Sequence, residues 1–471
     1  SSAIMKKIGA ICTLCSTLSM LQACTTGPNY MKPTVETPAA FKEAPKGWKV
    51  AQPSNGVDRG PWWGVYKDPL LNELVPQVAI NNQNLKAYEA AYREAQAVIA
   101  EARSGLFPSL SINPGVTRER SAGITQTTGT AEGSASWDLD LWGKVRRQIE
   151  SDKAGAQASA AELADLTLTA QAQLVTDYFE LRYQDSLIDL LNATAKAYQE
   201  TLTITQNQYA SGVAARSDVI TAQTQLATTQ ASAIAAQQLR AQYEHAIALL
   251  IGKPPSELSI RPGRLAQSVP APPAAIPSSL LERRPDIAEA ERTMQQQNAL
   301  IGVAVAAYYP TVSLSALAGY SGASPLFSAT NAIWSLGASA SETLFDGGER
   351  SAAVKAARAT YDQSVANYRQ TVLSAFQNVE DQLSNLRILK RQAAAQDKAV
   401  RLSRQAVTIT INEYKAGTGA YTSVVTAQAT ALSNEQAALQ IREGLLTSSA
   451  SLIEALGGNW SVAQLPKDAQ P

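Results

Sequence analysis

The sequence has 471 residues, of which 45% are hydrophobic and only 6% aromatic, and its 40 basic side chains balance 40 acidic ones. This length suffices for two or three ordinary domains, and the near-zero net charge argues against a nucleic-acid-binding surface. After residue 24, no segment offers the ~20 predominantly apolar residues of a membrane-spanning helix. The composition therefore argues against a helical membrane protein and leaves soluble and β-barrel proteins.

The first 24 residues have the pattern of an export signal. Lys6 and Lys7 precede an apolar stretch at 8–20, and the letters LQAC follow and end at Cys24. A basic, then apolar, then small-residue order is typical of a secretory signal. The last four letters resemble the bacterial lipobox, which predicts removal of residues 1–23 and acylation of Cys24. An ordinary signal peptide with an incidental cysteine is the alternative. Thr25 stands where an inner-membrane retention signal has Asp, which favours the outer membrane.

Cysteine and histidine usage argues against catalysis. Cys12 and Cys15 lie within the predicted signal and Cys24 would carry lipid, so the mature chain has no free thiol for a disulfide, a metal or a nucleophile. His245 is the only histidine, and no P-loop, nucleophile elbow or zinc-ligand pair is present. We predict a protein that is not an enzyme and has no metal and no cofactor beyond the covalent lipid on Cys24.

The distribution of proline divides the chain into two helical halves. Prolines are frequent between Pro28 and Pro114 and between Pro254 and Pro285, whereas none lies at 115–253 or 326–465. Because proline breaks helix interiors, the two proline-free stretches of about 140 residues each are predicted to be mainly helical.

The two halves are copies of each other. The letters FPSLS at 107–111 correspond to YPTVS at 309–313, an offset of 202, and YASG at 209–212 corresponds to YKAG at 414–417, an offset of 205. A fixed offset that changes by only three residues indicates an internal duplication.

Each copy is predicted to contain a helix, a β-hairpin and two long helices. The first repeat spans 79–252, with these elements at 79–105, 107–142 and 143–251. The second repeat spans 285–457, with the elements at 285–307, 309–346 and 348–456. Between the long helices, Gly212 and Gly417 reverse the chain. The remaining segments, at 24–78, 253–284 and 458–471, flank and connect the repeats.

The hairpin strands alternate with a period of two. In the first strand Leu110 and Ile112 share one face, and Ser111 and Asn113 share the other. Apolar and polar residues that alternate over about ten positions are typical of a transmembrane barrel with a wet interior. An amphipathic sheet on a soluble core is an equally compatible interpretation.

Two acidic residues fall on the polar face of the second strand, and we predict that Asp138 and Asp140 face a pore. For Asp140, a cap on the following helix is the alternative.

Four strands cannot close a barrel, because about eight are needed. An open sheet in lipid leaves backbone groups unsatisfied, at several kcal/mol per group. We therefore expect several protomers to share one barrel, and three would supply twelve strands. Each long helix, at about 65 residues and ~1.5 Å per residue, would be roughly 97 Å long and must pack along neighbouring helices as a coiled-coil-like wall.

Nearly the whole mature chain resembles the TolC-like outer-membrane factors, in particular the lipoprotein branch that includes OprM and NodT. The segments that carry this resemblance are GPNYMKP after Cys24, WWGVYKDPLLNELV at 62–75, NNQNL at 81–85, LFPSLS at 106–111, DLDLWGKVRR at 138–147, YASGVAARSDV at 209–219, LLERRPDIAEAE at 280–291, AAYYPTVSLSA at 306–316 and LFDGGER at 344–350.

The resemblance implies a mixed α and β membrane protein. Each protomer would give two hairpins to a trimeric twelve-stranded barrel, continuous with a long α-helical periplasmic barrel and an equatorial belt built from 25–78, 253–284 and the C-terminal tail. The implied function is a passive duct of a tripartite efflux pump, exporting drugs or other small toxic compounds with a periplasmic adaptor and an inner-membrane RND-type pump. The alternatives are the duct of a type I protein secretion system and a non-conducting scaffold lipoprotein.

The resemblance also implies roles for residues at the helix reversals, which would lie farthest from the membrane. The expected contacts with the adaptor or pump are Tyr209, Gly212, Val213, Arg216, Ser217, Asp218, Tyr414, Gly417, Thr418 and Tyr421. The family often carries an Asp before Ala-Gln on the second return helix, in a gating ring. This chain has Thr426 there and Thr422 near the place of a bulky apolar gate residue, while Asp218 in the first copy is acidic. These three are the candidate gate residues. Closure by packing and hydrogen bonding of Tyr209, Tyr414, Tyr421, Arg216 and Asp218 is the alternative.

Overall fold

The structure, a computed structural model, describes residues 25–45, 61–271, 273, 275 and 277–466. The predicted signal peptide and Cys24 lie outside the described residues.

Each repeat contains a short helical part, a β-hairpin and two long helices. The first repeat comprises α1 (Pro69–Asn81), α2 (Gln83–Ser104), β1 (Ser109–Ser121), β2 (Ile124–Leu139), α3 (Lys144–Ala210) and α4 (Arg216–Leu250). The second comprises α5 (Pro277–Arg283), α6 (Pro285–Ala306), β3 (Thr311–Gly322), β4 (Ala332–Ser341), α7 (Glu349–Lys415) and α8 (Tyr421–Ala455). The predicted mixture of long helices and antiparallel hairpins is confirmed. Both α3 and α7 have 67 residues, which makes each roughly 100 Å long.

The first helical segment differs from the sequence-based prediction, which placed one helix at 79–105. The structure has a helix that begins at Pro69 and a second that begins at Gln83. Asp68 caps the first by accepting hydrogen bonds from the backbone N–H groups of Leu70 and Leu71. Proline fits the first helical position, where its missing N–H has no intrahelical partner in any case. The predicted start at residue 79 therefore lies ten residues after the observed one.

The four strands form one antiparallel sheet in the order β1-β2-β3-β4. Ser109 pairs with Ser136, Ser136 pairs with Ser315, and Ser315 pairs with Gly337, so the two hairpins lie side by side in one sheet. Within the described residues, the outer edges of β1 and β4 have no strand partner. One protomer therefore provides an open sheet with two free edges.

Helix α3 is the central packing element, since it lies against α2, α4, α6 and α8. Its middle section forms one hydrophobic core with α1 and α4, which includes Leu71, Leu174 and Ile247. A second core joins α6, α7 and α8 to the N-terminal segment, through Phe41 and Tyr368. No helix in the described ranges meets the length and apolarity that crossing a bilayer requires.

The duplication is visible in how each repeat closes. The Asn82 side chain donates to the carbonyl of Leu250 at 2.9 Å, and the Arg284 guanidinium donates to the carbonyl of Ala455 at 2.7 Å. In both repeats, therefore, a polar side chain at the start of the short helix is bound to the end of the return helix.

Candidate docking tip and membrane junction

Both transitions from sheet to long helix are closed by an aspartate and an arginine. The Asp140 carboxylate accepts hydrogen bonds from the backbone N–H groups of Val145 and Arg146 at 2.9 and 3.0 Å, and from Nε of Arg146 at 3.1 Å. In the second repeat, Asp346 accepts from the backbone and Nε of Arg350, and these bonds hold the pKa of Asp346 at about 2. The alternative role considered for Asp140, a helix cap, is the one that the structure shows.

The other predicted pore acid, Asp138, lies exposed on β2, where it accepts a hydrogen bond from the hydroxyl of Ser313 at 2.5 Å. Its orientation toward a pore stays a prediction.

The first described residues lie at this same junction. The Thr26 hydroxyl is within hydrogen-bond distance of the carbonyls of Trp142 and Gly302, at 3.0 and 3.2 Å. The buried Arg147 donates from Nε to the carbonyl of Thr26 at 3.0 Å, and its Nη2 donates to the Asn29 side chain at 2.9 Å. We call residues 25–45 the N-terminal strap, because they contact both repeats. The start of the strap is thereby held where the sheet meets the helices.

We expect Gly302→Ala to displace the strap. A Cβ at this position would lie 2.7 Å from the Thr26 carbonyl oxygen and 2.8 Å from Cγ of Arg147, and such overpacking typically costs about 1–3 kcal/mol. The matched control is Gly444→Ala, also within a helix, where the nearest atom would be 3.5 Å away. Limited proteolysis of the solubilised protein should release strap fragments faster only from Gly302→Ala. Equal rates for the two variants would contradict the close fit.

At the opposite end of the molecule, each helix pair reverses through a glycine in the left-handed region. The backbone φ is 75° at Gly212 and 73° at Gly417, which glycine adopts without steric cost. The N–H of Val213 donates to the carbonyl of Gln208 at 2.8 Å, and the N–H of Thr418 donates to that of Glu413 at 3.0 Å. The two turns, predicted from the sequence, therefore have the same geometry.

Two of the predicted contact residues at the tip are not on the surface. Tyr414 and Tyr421 are 7% and 4% exposed, and their rings pack against each other with centroids 5.3 Å apart. They belong to a small core with Tyr198 and Leu202 of α3. Their burial leaves these two side chains little surface for a partner, and their role in partner contact stays a prediction. The reason for the burial is that α7 and α8 turn these positions toward the first repeat, an orientation that distance from the turn does not reveal.

The other predicted contact residues are accessible at the tip. Tyr209, Gly212, Val213, Arg216, Ser217, Gly417 and Thr418 are exposed, and Asp218 is half-buried. Burial and, after it, the charges of Tyr414 and Asp218 together raise the pKa of Tyr421 to about 12.

The candidate gate residues Thr422 and Thr426 lie on an exposed face of α8. The Thr426 hydroxyl donates to the carbonyl of Thr422 at 2.9 Å. Both line a shallow cavity of about 420 Å³ between α7 and α8, together with Ser403 and Ala406. Asp218 lies in the first turn of α4. A gating role for Thr422, Thr426 and Asp218 stays a prediction.

A carboxylate pair that the sequence did not reveal lies between the two repeats. Glu180 of α3 and Glu443 of α8 are within hydrogen-bond reach of each other, and Tyr243 of α4 contacts Glu180. Burial and, second, the charge of Glu180 raise the pKa of Glu443 to about 7, and burial raises that of Glu180. Asp177, buried on the same helix, has its pKa raised to about 6 by burial. The residues that the structure describes contain no cluster of three or more His, Cys, Asp or Glu fit to hold a metal ion.

Because of the Glu180–Glu443 pair, we expect the free energy of unfolding to fall as the pH rises. Because the folded pKa of Glu443 lies above the ordinary value, the folded protein binds this proton more tightly between about pH 4.5 and 7. The contribution of this proton to the free energy of unfolding is therefore complete below pH 4.5 and lost above pH 7. Because Glu443 is partly accessible, solvent screening limits this contribution to about 1 kcal/mol. We expect Glu443→Gln to flatten the profile of melting temperature from pH 5 to 8, while Glu200→Gln, at an exposed site on α3, leaves it as in the unmodified protein. Identical profiles for the two variants would contradict the shared proton.

A second unforeseen cluster attaches the linker at 253–284 to the first repeat. The buried Asp185 accepts hydrogen bonds from Nη1 of Arg182 at 3.0 Å, from Nε of Arg240 at 2.6 Å and from the N–H of Gly263 at 3.0 Å. Nη2 of Arg240 donates to the carbonyl of Ile260 at 2.5 Å. Arg182 and Asp185 are three residues apart on one helix, but no sequence pattern pairs them with Arg240.

Comparisons with known proteins agree over nearly the whole chain. A model of the family described as outer membrane efflux protein matches residues 74–253 and 276–458. The probable efflux pump outer membrane protein TtgC of Pseudomonas putida is 29% identical over 473 residues and covers 96% of both chains. Nodulation protein T of Rhizobium leguminosarum bv. trifolii is 30% identical over 437 residues, which is 89% of this chain and 91% of the relative. The solved structure of the outer-membrane channel OprN superposes with a TM-score of 0.84 and 30% identity, over 93% of this chain and 100% of that chain.

Proposed function

We propose, on the premise that this chain belongs to the outer membrane efflux protein family, that three copies form the passive outer-membrane duct of a tripartite pump. Its location in the outer membrane and its role as an efflux channel follow from the family and from the likeness to OprN and TtgC. The trimer, the partners and the sites are the parts that we propose.

The main observation that supports a trimer is the open sheet of a single protomer. The free edges of β1 and β4 leave backbone groups that lipid cannot hydrogen-bond. Large apolar side chains cover one face, since Leu110, Ile112, Trp334 and Leu336 are each more than three-quarters exposed in a single protomer. Pairing β4 of one copy with β1 of the next satisfies both edges, and three copies give a closed barrel of twelve strands.

The position of the N-terminal strap supports acylation of Cys24. Thr26 is bound at the junction between sheet and helices, and Cys24 precedes it by two residues in the sequence, so an acyl chain on Cys24 would have only a short distance to a membrane that surrounds the sheet. Mass spectrometry of the mature N-terminal peptide should show a lipid on Cys24, and Cys24→Ser should abolish it. An unmodified peptide that begins at residue 24 or nearby would contradict the proposal.

A periplasmic adaptor and an inner-membrane RND-type pump complete the proposed assembly, with drugs or other small toxic compounds as cargo. The supporting observations are the relatives' names, since TtgC is called an efflux pump outer membrane protein, and the exposed helical tip far from the sheet. A deletion strain complemented with this chain should regain resistance to antibiotics, detergents or dyes. Unchanged sensitivity to every compound, with a secreted protein retained inside the cell, would instead assign the duct to protein secretion.

A further inference from the structure

The charged residues of the sheet are divided between its two faces. Those within the four strands are Arg118, Glu119, Arg120, Glu132 and Asp138. Successive residues of a strand point to opposite faces, so the pairing register assigns each side chain to a face. Both arginines share the apolar face with Leu110, and all three acids share the polar face with Ser111. The face that would meet lipid therefore carries two positive charges and no negative one.

Neither arginine has a counter-charge nearby on its own face. Arg118 pairs with Thr127 and Arg120 with Thr125 across the first hairpin. Neither guanidinium forms an ion pair with any residue that the structure describes. The hairpin turn at 122–123 and the connection between β3 and β4 contain no charged residue. Both arginine side chains are exposed and available to a ligand.

A neighbouring copy would not neutralise the two arginines either. Strand β1 is an edge strand, so the adjoining strand in the proposed trimer is β4 of the next copy. A register that keeps the apolar faces continuous sets the arginines beside the apolar face of β4. The residues of that face are Ala332, Trp334, Leu336, Ala338 and Ala340. Since none of them is charged, a counter-charge would come from another molecule.

The two arginines lie near the outer edge of the proposed barrel. The turn at 122–123 is at the end of the hairpin opposite to the long helices, which is the outer side when the helices extend into the periplasm. Arg118 and Arg120 follow Leu110 by eight and ten residues. For a strand tilted by about 40°, they lie about 20 and 25 Å beyond it along the membrane normal. Because the apolar band of such barrels is about 25 Å tall, both side chains can reach the outer lipid headgroups.

The side chains at this edge suit a phosphate group. Arg118 and Arg120 are about 7 Å apart along one strand face, and the exposed hydroxyls of Thr125 and Thr127 lie opposite them. Arginine binds phosphate through a planar fork of N–H donors. Two such forks and two hydroxyls fit a phosphate monoester, which presents three free oxygens, better than a phosphodiester, which presents two.

We propose that Arg118, Arg120, Thr125 and Thr127 form a binding site for a phosphate monoester of a lipid in the outer leaflet. The occupant is a glycolipid that carries phosphate on its sugar, with its acyl chains against the apolar face of the sheet. This inference rests on the proposed function in that the sheet must span the outer membrane. A trimer would carry three such sites.

Native mass spectrometry of the purified protein, titrated with bisphosphorylated lipid A, tests the site. Replacing both Arg118 and Arg120 by glutamine should lower the apparent affinity about tenfold or more, because hydrogen bonds to charged groups are among the strong ones. Replacing both by lysine should restore only part of the affinity, since an ammonium lacks the planar fork. Glu119→Gln, the matched control between them on the opposite face, should change the affinity by less than about twofold. Equal affinities of the double glutamine variant and the control would overturn the proposal.

The choice of lipid separates recognition of a phosphate monoester from general attraction to anions. Phosphatidylglycerol carries a phosphodiester, and phosphatidylethanolamine has no net charge. Both should bind the unmodified protein about tenfold more weakly than lipid A, and the double glutamine variant should bind them as the unmodified protein does. Phosphatidylglycerol that binds as tightly as lipid A would refute the assigned ligand.

Conductance in planar bilayers separates this site from the duct. The double glutamine variant should form a trimer with the conductance of the unmodified protein, so its loss of lipid A binding would not result from misfolding. If the unmodified protein neither trimerises nor conducts, yet binds lipid A through Arg118 and Arg120, the proposed duct fails and the site stands. A conducting trimer that does not bind lipid A would refute the site alone.

Discussion

Replacing Gly457 by alanine should destabilise the protein by about 3 kcal/mol or more, the largest effect that we expect from a single methyl group. Gly457 has a φ of 88°, and a Cβ there would lie 2.0 Å from the carbonyl oxygen of Arg283. Gly252, its counterpart in the first repeat, would place a Cβ 2.2 Å from the carbonyl oxygen of Asn81. Backbone atoms cannot move aside as a flexible side chain can. We therefore expect both close contacts, between residues 457 and 283 and between residues 252 and 81, to be lost.

The turn glycines provide the control. Gly417 has a φ of 73°, but a Cβ there would meet nothing within 4 Å. Gly417→Ala should therefore cost only the left-handed strain of about 1 kcal/mol. Thermal unfolding in detergent should rank Gly457→Ala and Gly252→Ala well below Gly417→Ala. Equal melting temperatures would mean that the close backbone contacts at Gly457 and Gly252 are not required for stability.

Substitution of Asp185 by asparagine should also have a large effect. It removes the negative charge that two arginines share and leaves the guanidinium of Arg240 without its closest acidic partner. Breaking a buried ion pair typically costs about 3–5 kcal/mol. The linker around Gly263 should detach from α3 and become sensitive to protease, which limited digestion with N-terminal sequencing of the fragments would detect.

A neighbouring aspartate tests whether burial is the cause. Asp189 lies one helical turn further along α3 and pairs with Arg264 at 3.9 Å, with both side chains largely exposed. Exposed pairs contribute about 0–1 kcal/mol, so Asp189→Asn should leave both the melting temperature and the digestion pattern almost unchanged. A comparable loss in the two variants would show that the buried network is not what holds the linker.

Much of the architecture was predictable because it depends on local or repeated patterns. Proline-free stretches and the fixed offset between copies predicted both long helix pairs, and Gly212 and Gly417 marked their turns. The start of the first helix was missed: the helix begins at Pro69 and accommodates Pro76 in its interior, whereas the prediction began at residue 79.

The site was predictable only in part, because a residue's position along the chain does not say which way it faces. Proximity to a turn grouped Tyr209 with Tyr414, but packing between the repeats exposes one and buries the other. The Glu180–Glu443 pair depends on how α8 lies against α3, and the two residues are not equivalent positions of the duplication. Contacts of this kind follow from the register of helices distant in sequence, which periodicity does not specify.

We propose that one protomer is incomplete and that three copies make the duct. Reconstitution of the purified protein into planar bilayers, with its mass in detergent measured in parallel, tests this most directly. We expect a particle of three chains that gives discrete conductance steps. A monomeric particle that leaves the bilayer non-conducting would contradict it.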